Sequence, residues 1–190
     1  MGIVEFIKKR KNIIIFLLII VAWAVNVFLS RVIKEPQTEF GPGVDYKGLV
    51  PGVSRRPQVL EKMGNLVSET EMDDKDLLKF QSTSPNRDHE AVLAGESLVF
   101  IKEIVTATDN KKITELTSRY GESSNVLYGP SSVGGFNLYV YPEKGLAYLG
   151  NPTGEGALIE IWYFPPNTLA EFRKQWAPQY SETFSPNTQY

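Results

Sequence analysis

The chain has 190 residues, of which 42% are hydrophobic, 22% charged and 12% aromatic, with a formal net charge of −2. These are the proportions of a globular chain, and they exclude a disordered polyelectrolyte and a strongly basic nucleic-acid binder. Cysteine is absent, so no disulfide, thiol nucleophile, thiolate metal site or acylated lipoprotein cysteine is available.

Near the N-terminus, four consecutive cations, Lys8-Lys9-Arg10-Lys11, precede the stretch Ile13 to Ile33, which is apolar from Ile13 to Leu29 except at Asn26. About 20 such residues, rising about 1.5 Å each, span a hydrocarbon core of about 30 Å. The far flank carries only Arg31 and Lys34 before Glu35. Because cationic flanks stay inside, residues 1–12 are expected as a cytoplasmic stub and residues 13–33 as a single transmembrane helix. Everything beyond is then extracytoplasmic, in type II topology. The basic cluster also suits anionic lipid headgroups. Cleavage near Ala24 is the alternative, since Ala22-Trp23-Ala24 has the small-x-small form of a peptidase site. The apolar run continues through Val25, Val27, Phe28 and Leu29, longer than a signal core requires, which favours a retained anchor.

Residues 34–47 read as a linker, semi-extended by Pro36 and Pro42. Phe40 is left open between a headgroup contact and the start of the fold. Folding is expected from Gly48. Pro51-Gly52 is a turn, Ser54 is placed as an N-cap, and Val59, Leu60 and Met63 share a helical face that Gly64-Asn65 ends. Strands are expected at Leu66–Glu71, Leu77–Ser82, Glu90–Ala94 and Ser97–Thr106, with turns at Asp73–Asp76 and Ala94–Glu96.

A second round opens at Thr108-Asp109 as a cap, with Ile113, Leu116 and Tyr120 at helical spacing and Gly121 as stop. Strands follow at Asn125–Tyr128, Phe136–Tyr141, Leu146–Leu149 and Ala157–Phe164. Thr168 and Glu171 are spaced as a capping box for a closing helix over Leu169–Ala177, ended by Pro178. The expected architecture is therefore α+β: a transmembrane helix, two helix-plus-antiparallel-sheet modules (48–107 and 108–178), and a frayed polar tail over 179–190.

The opening Gly48-Leu49-Val50-Pro51-Gly52-Val53-Ser54, with Val59-Leu60 and Gly64-Asn65, resembles that of the BamE-like (SmpA/OmlA) outer-membrane assembly proteins. The resemblance covers about residues 48–106, and the second round shares only Tyr120-Gly121 and the strand order. It implies the β-lactamase inhibitor protein type of fold, with helices on one face of an antiparallel sheet, and protein contact in the cell envelope. Two departures are plain: the family's acylated cysteine is missing, and Leu66 stands where the family tends to have Pro.

Little in the chain points to catalysis. His89, the only histidine, lies between Asp88 and Glu90 after a Pro-Asn-Arg loop and is expected to be solvated. No nucleophile motif accompanies it. Asp73, Asp74 and Asp76 lack the glycine and distal glutamate of a calcium loop. Gly129, Gly134 and Gly135 lack the lysine and helix of a phosphate loop. No cofactor and no metal are expected.

The residues that stand out are aromatic. In Ala157–Phe164 the odd positions suit a face under the helices, leaving Leu158, Glu160, Trp162 and Phe164 opposite. In Phe136–Tyr141 the core set is Phe136, Leu138 and Val140, leaving Asn137, Tyr139 and Tyr141. Tyr139, Tyr141, Glu160 and Trp162 are thus the candidate partner-binding face, since Tyr and Trp bury area while keeping a polar tip. Burial of that face by the closing helix, with Phe172 and Trp176, is the competing expectation. Function is expected to be protein interaction in envelope assembly or maintenance, anchored through residues 13–33, without catalysis or nucleic acid. A small-ligand or lipid-binding protein would instead show a deep apolar cavity. An envelope hydrolase would gather carboxylates with His89.

Overall fold

The computed structural model describes residue 41 and residues 43–123, 125–153 and 156–185. The helix expected over 13–33, the basic stub and most of the linker lie outside the described residues. Among the described ones, no helix is long and apolar enough to cross a membrane.

Strands form where the hydrophobic pattern places them: β1 Leu66–Met72, β2 Lys75–Phe80, β3 His89–Ala94, β4 Ser97–Ile104, β5 Asn125–Leu127, β6 Asn137–Tyr141, β7 Leu146–Asn151 and β8 Ala157–Tyr163. Helices α1 Arg56–Met63, α2 Ile113–Tyr120 and α3 Leu169–Trp176 alternate with them. The fold is α+β, built on one antiparallel sheet in the order β1-β2-β3-β4-β8-β7-β6-β5. Each round is a helix followed by a four-stranded meander. The two meanders do not form separate sheets: their last strands pair, with Ile101 opposite Tyr163 and Ile104 opposite Glu160. These strands are rich in apolar side chains on both faces, and pairing edge to edge satisfies backbone groups that a buried free edge would leave unmet.

Both faces of the sheet carry a core. The upper one gathers Val59 and Met63 of α1 and Ile113 of α2 with Leu78, Phe80, Leu93, Ile101, Tyr148 and Ile161. The lower one gathers Phe172 of α3 with Phe100, Leu138, Val140, Ala147, Leu149, Trp162 and Phe164. Gly64 and Gly121 end α1 and α2 at φ 97° and 84°, backbone that glycine adopts without Cβ strain. Thr168 and Glu171 form the expected capping box, with Glu171 N donating to Thr168 Oγ1 at 3.3 Å and Thr168 N to Glu171 Oε2 at 3.0 Å.

The other helix starts differ from expectation. Ser54 Oγ accepts from Val50 N at 2.9 Å and so closes the Pro-Gly turn, while Arg55 stands at the cap. Thr108-Asp109 belong to a short 3₁₀ turn in which Asp109 accepts from Thr106 N, and α2 starts four residues after Asp109. The ends of the fold also reach further. Tyr46 is 3% exposed within the upper core, and Val44 N donates to Lys144 O. Tyr180 is buried in the lower core and Ser181 bridges Tyr128, so the start of the tail is tied down by backbone pairing.

Candidate functional site

The four residues of the expected aromatic face do not share a face. Tyr139 and Tyr141 point up: Tyr139 stacks on Tyr148 at 4.8 Å, and the Tyr141 hydroxyl donates to Gly121 O at the end of α2. Glu160 and Trp162 point down, where the Trp162 indole N–H donates to Glu160 Oε2 at 2.6 Å. Tyr141, Glu160 and Trp162 are all buried, and Tyr139 is half-buried. The physical reason lies in register. A bulge between Leu149 and Gly150 pairs Leu149 with Glu160 but Gly150 with Leu158, so the alternation of β8 changes phase there. Leu158 consequently joins Ile161 in the upper core, although strict alternation puts it opposite. The competing expectation describes Trp162: its ring lies 6.2 Å from Phe172 of α3 and 6.1 Å from Tyr180.

Helix α3 leaves part of the lower face accessible. Between β2–β4 and the flank of α3 runs a groove of about 490 Å³, with Leu77, Val92, Phe100 and Trp162 on its floor and Trp176 on its wall. The wall is fixed by Trp176 stacked on Phe100 at 4.5 Å. Its charges are mostly paired. Lys102 bridges Glu90 at 2.8 Å, and Arg87 caps the buried Glu160. Lys75 lies over the Trp176 ring at 5.1 Å and has no carboxylate partner among the described residues. Glu160 and Trp162 thus line this groove, and Tyr139 and Tyr141 do not.

On the upper face a second set of polar groups converges. His89 is the first residue of β3 and is 9% exposed, not solvated in a loop as the sequence suggests. Its Nδ1 accepts from Ile104 N at 3.0 Å, which leaves the proton of the neutral ring on Nε2. It lines a cleft of about 420 Å³ together with Tyr46, Lys47, Thr83, Glu103 and Asp109. Glu103 is buried, and each of its oxygens accepts a hydrogen bond, one from Lys111 Nζ and one from the Tyr163 hydroxyl at 2.9 Å. Asp109 accepts from Thr106 and Thr83. Burial alone pushes the Asp109 carboxyl up, but these hydrogen bonds prevail and hold it below the ordinary range. Burial, with Glu103 next, pushes the Tyr163 hydroxyl well above its usual value.

Carboxylates and a histidine are therefore gathered, but each oxygen and Nδ1 already accepts a hydrogen bond. In this tautomer His89 is a hydrogen-bond donor at Nε2, with no lone pair there for a metal or for a proton in transit. Among the described residues no group of His, Asp and Glu is placed to hold a metal ion. Asp76, one of the acidic turn residues, is paired with Arg56.

Burial is also the leading cause that lowers the His89 pKa below 6.5, with Lys47 adding to it and Glu103 opposing. Below about pH 6.5 the unfolded chain therefore binds a proton that the folded chain refuses, so stability falls on acidification through this window. Melting temperatures of the full chain at pH 7.5 and 5.5 are expected to drop at the lower pH, and His89→Gln is expected to flatten that slope. An unchanged slope in the variant would assign the loss to other groups.

Sequence reasoning missed Tyr46, Lys47, Glu103, Lys111 and Tyr163. One signal was available: Glu103 alternates with Ile101 in β4 and with Val105 just beyond its end, a carboxylate in the phase of the core. Such a position demands partners. Comparisons with family models, with curated proteins and with solved structures find no match for this chain.

Proposed function

We propose that the chain is a membrane-anchored, extracytoplasmic protein-interaction module that works by contact rather than by chemistry. The cationic flank and apolar run over residues 8–33 support the anchor and its direction. The observation that carries the interaction is the lower groove, where the half-buried Leu77 and Trp176 flank the buried Val92, Phe100 and Trp162 beside Lys75, an ammonium with no carboxylate partner among the described residues. The partner that fits is a polypeptide presenting an apolar anchor with a carboxylate beside it. The resemblance of residues 48–106 to envelope assembly proteins favours the same theme.

The absence of cysteine makes the test direct. Leu77→Cys, in the groove, and Glu61→Cys, on the exposed side of α1, each introduce one thiol. A membrane-impermeant thiol-reactive crosslinker is applied to right-side-out membrane vesicles. Both thiols should react, and only Leu77→Cys should yield a discrete protein adduct, weakened about tenfold or more by Lys75→Glu. Failure of both thiols to react sinks the topology. Identical adduct patterns at both positions sink the groove.

A further inference from the structure

The two edges of the sheet end differently. At one, β5 is three residues long, and the chain just beyond it is covered, because Tyr128 and Ser181 exchange backbone hydrogen bonds at 2.7 and 2.8 Å. At the other, β1 runs for seven residues and pairs only with β2 among the described strands. All seven are exposed, Leu66 at 44%, Val67 at 56% and Met72 at 42%. Sheet edges are ordinarily blunted by Lys, by Pro, by shortness, by a bulge or by a covering segment. β1 contains no Lys, Arg or Pro. Its bulge lies between Leu66 and Ser68, and Ser68–Met72 continues in regular register.

The hairpin fixes what this edge presents. Met72 pairs with Lys75 across the two-residue loop Asp73-Asp74, and in such a hairpin the flanking pair exchanges both backbone hydrogen bonds. Alternation then gives Thr70 and Ser68 to β2 and turns the N–H and C=O groups of Glu69 and Glu71 to the open side. The side chains sort by face as well. Glu69 lies opposite Leu78 of the upper core, and Thr70 opposite Leu77, which packs on the lower core. The upper row is thus Glu69 and Glu71, beside Asp73 and Asp74 of the turn. Arg56 of α1 reaches Glu69 at 2.8 Å, but it is shared with Asp76 and Glu96. Glu71, Asp73 and Asp74 have no ion-pair partner among the described residues.

These charges select the occupant. Pairing Ser68–Met72 with the same stretch of a second copy sets Glu69 opposite Glu71 twice, and like charges directly opposite destabilise a sheet. A cationic strand meets no such barrier. We propose that β1 is a docking edge to which an extended, basic segment of another polypeptide adds as a further strand. Its Lys or Arg residues, at two alternate positions, face Glu69 and Glu71. The backbone groups of Glu69 and Glu71 supply the hydrogen bonds, and their carboxylates choose the partner. Met72 also borders the lower groove, but the edge does not rest on it. The groove asks for a carboxylate and the edge for cations, so either can fail alone.

The test places the full chain in phosphatidylcholine nanodiscs and titrates it with a fluorescent, amidated peptide in which Lys and Thr alternate. A second peptide has the same composition with all its Lys before all its Thr. Saturable binding of the alternating peptide is expected, about tenfold or more tighter than that of the block peptide. Glu71→Gln leaves the Arg56–Glu69 pair in place and should weaken binding about threefold. Combining it with Glu69→Gln should bring the loss to about tenfold, with melting temperatures unchanged in both variants. Amide hydrogen exchange separates strand addition from charge attraction. The Glu69 and Glu71 amides should slow in the complex, and those of Ser68 and Thr70, already bonded to β2, should change less. No binding, equal affinity for the two peptides, unchanged affinity in both variants, or unprotected amides at Glu69 and Glu71 overturns the proposal.

Discussion

Replacing Trp162 by alanine is expected to destabilise the fold by about 3–5 kcal/mol, at least as much as Ile161→Ala, which should cost about 2–5 kcal/mol. The two residues are neighbours in β8 with opposite directions, and in an ordinary one-sided sheet only one of them is interior. Here both are: Ile161 is 2% and Trp162 4% exposed. The Trp162 ring meets Phe100 edge-on at 5.7 Å, with Phe172 and Tyr180 closing the other sides. Truncation removes these contacts and also takes the indole donor from Glu160, leaving that buried carboxylate with Arg87 alone. Trp162→Phe separates the two effects. It keeps most of the packing and loses the hydrogen bond, so about 1–3 kcal/mol is expected. Denaturant melts of the three variants supply the comparison. A loss below about 1 kcal/mol for Trp162→Ala would show a ring that is not interior.

What the sequence disclosed, and what it withheld, divides by range. Each strand was legible because alternation and turn residues are local, as Gly95 between β3 and β4 and Asp73 between β1 and β2 illustrate, both at positive φ. The closing helix was legible for the same reason, through Thr168 and Glu171. The pairing of β4 with β8 was not, since it joins residues about sixty positions apart and nothing local encodes it. That single pairing turns two modules into one sheet. It also explains why the face assignment failed. With helices α1 and α2 above and α3 below, apolar residues occupy both phases of β7 and β8, and alternation no longer says which side is out. The bulge at Leu149/Gly150 then shifts the phase within β8, separating Leu158 from Glu160 and Trp162. His89 was misread for a related reason. Flanking Asp88 and Glu90 suggest solvent, whereas burial comes from Phe80 across the β2–β3 pair and from Tyr46, whose ring lies 6.1 Å away.

Gly145→Ala is expected to cost about 3 kcal/mol or more, because two independent penalties coincide there. The residue has φ +67°, and a Cβ would stand 2.1 Å from the backbone oxygen of Phe164 and 3.1 Å from Pro166 Cδ. The oxygen cannot step aside cheaply. Phe164 N donates to Gly145 O, and Asn167 N donates to Pro142 O, so the exit of β8 is stitched to the β6–β7 turn at both ends. The same turn holds Val44 through Lys144 O. This junction therefore sets where α3 begins, which walls the lower groove, and where the segment through Tyr46 lies, which walls the upper cleft. Gly95→Ala provides the control, with φ +56° and nothing within 4 Å of an added Cβ. It should lose only the conformational part, about 1–2 kcal/mol. If the two substitutions lower the melting temperature equally, Phe164 is free to move and the turn is not what positions the two walls.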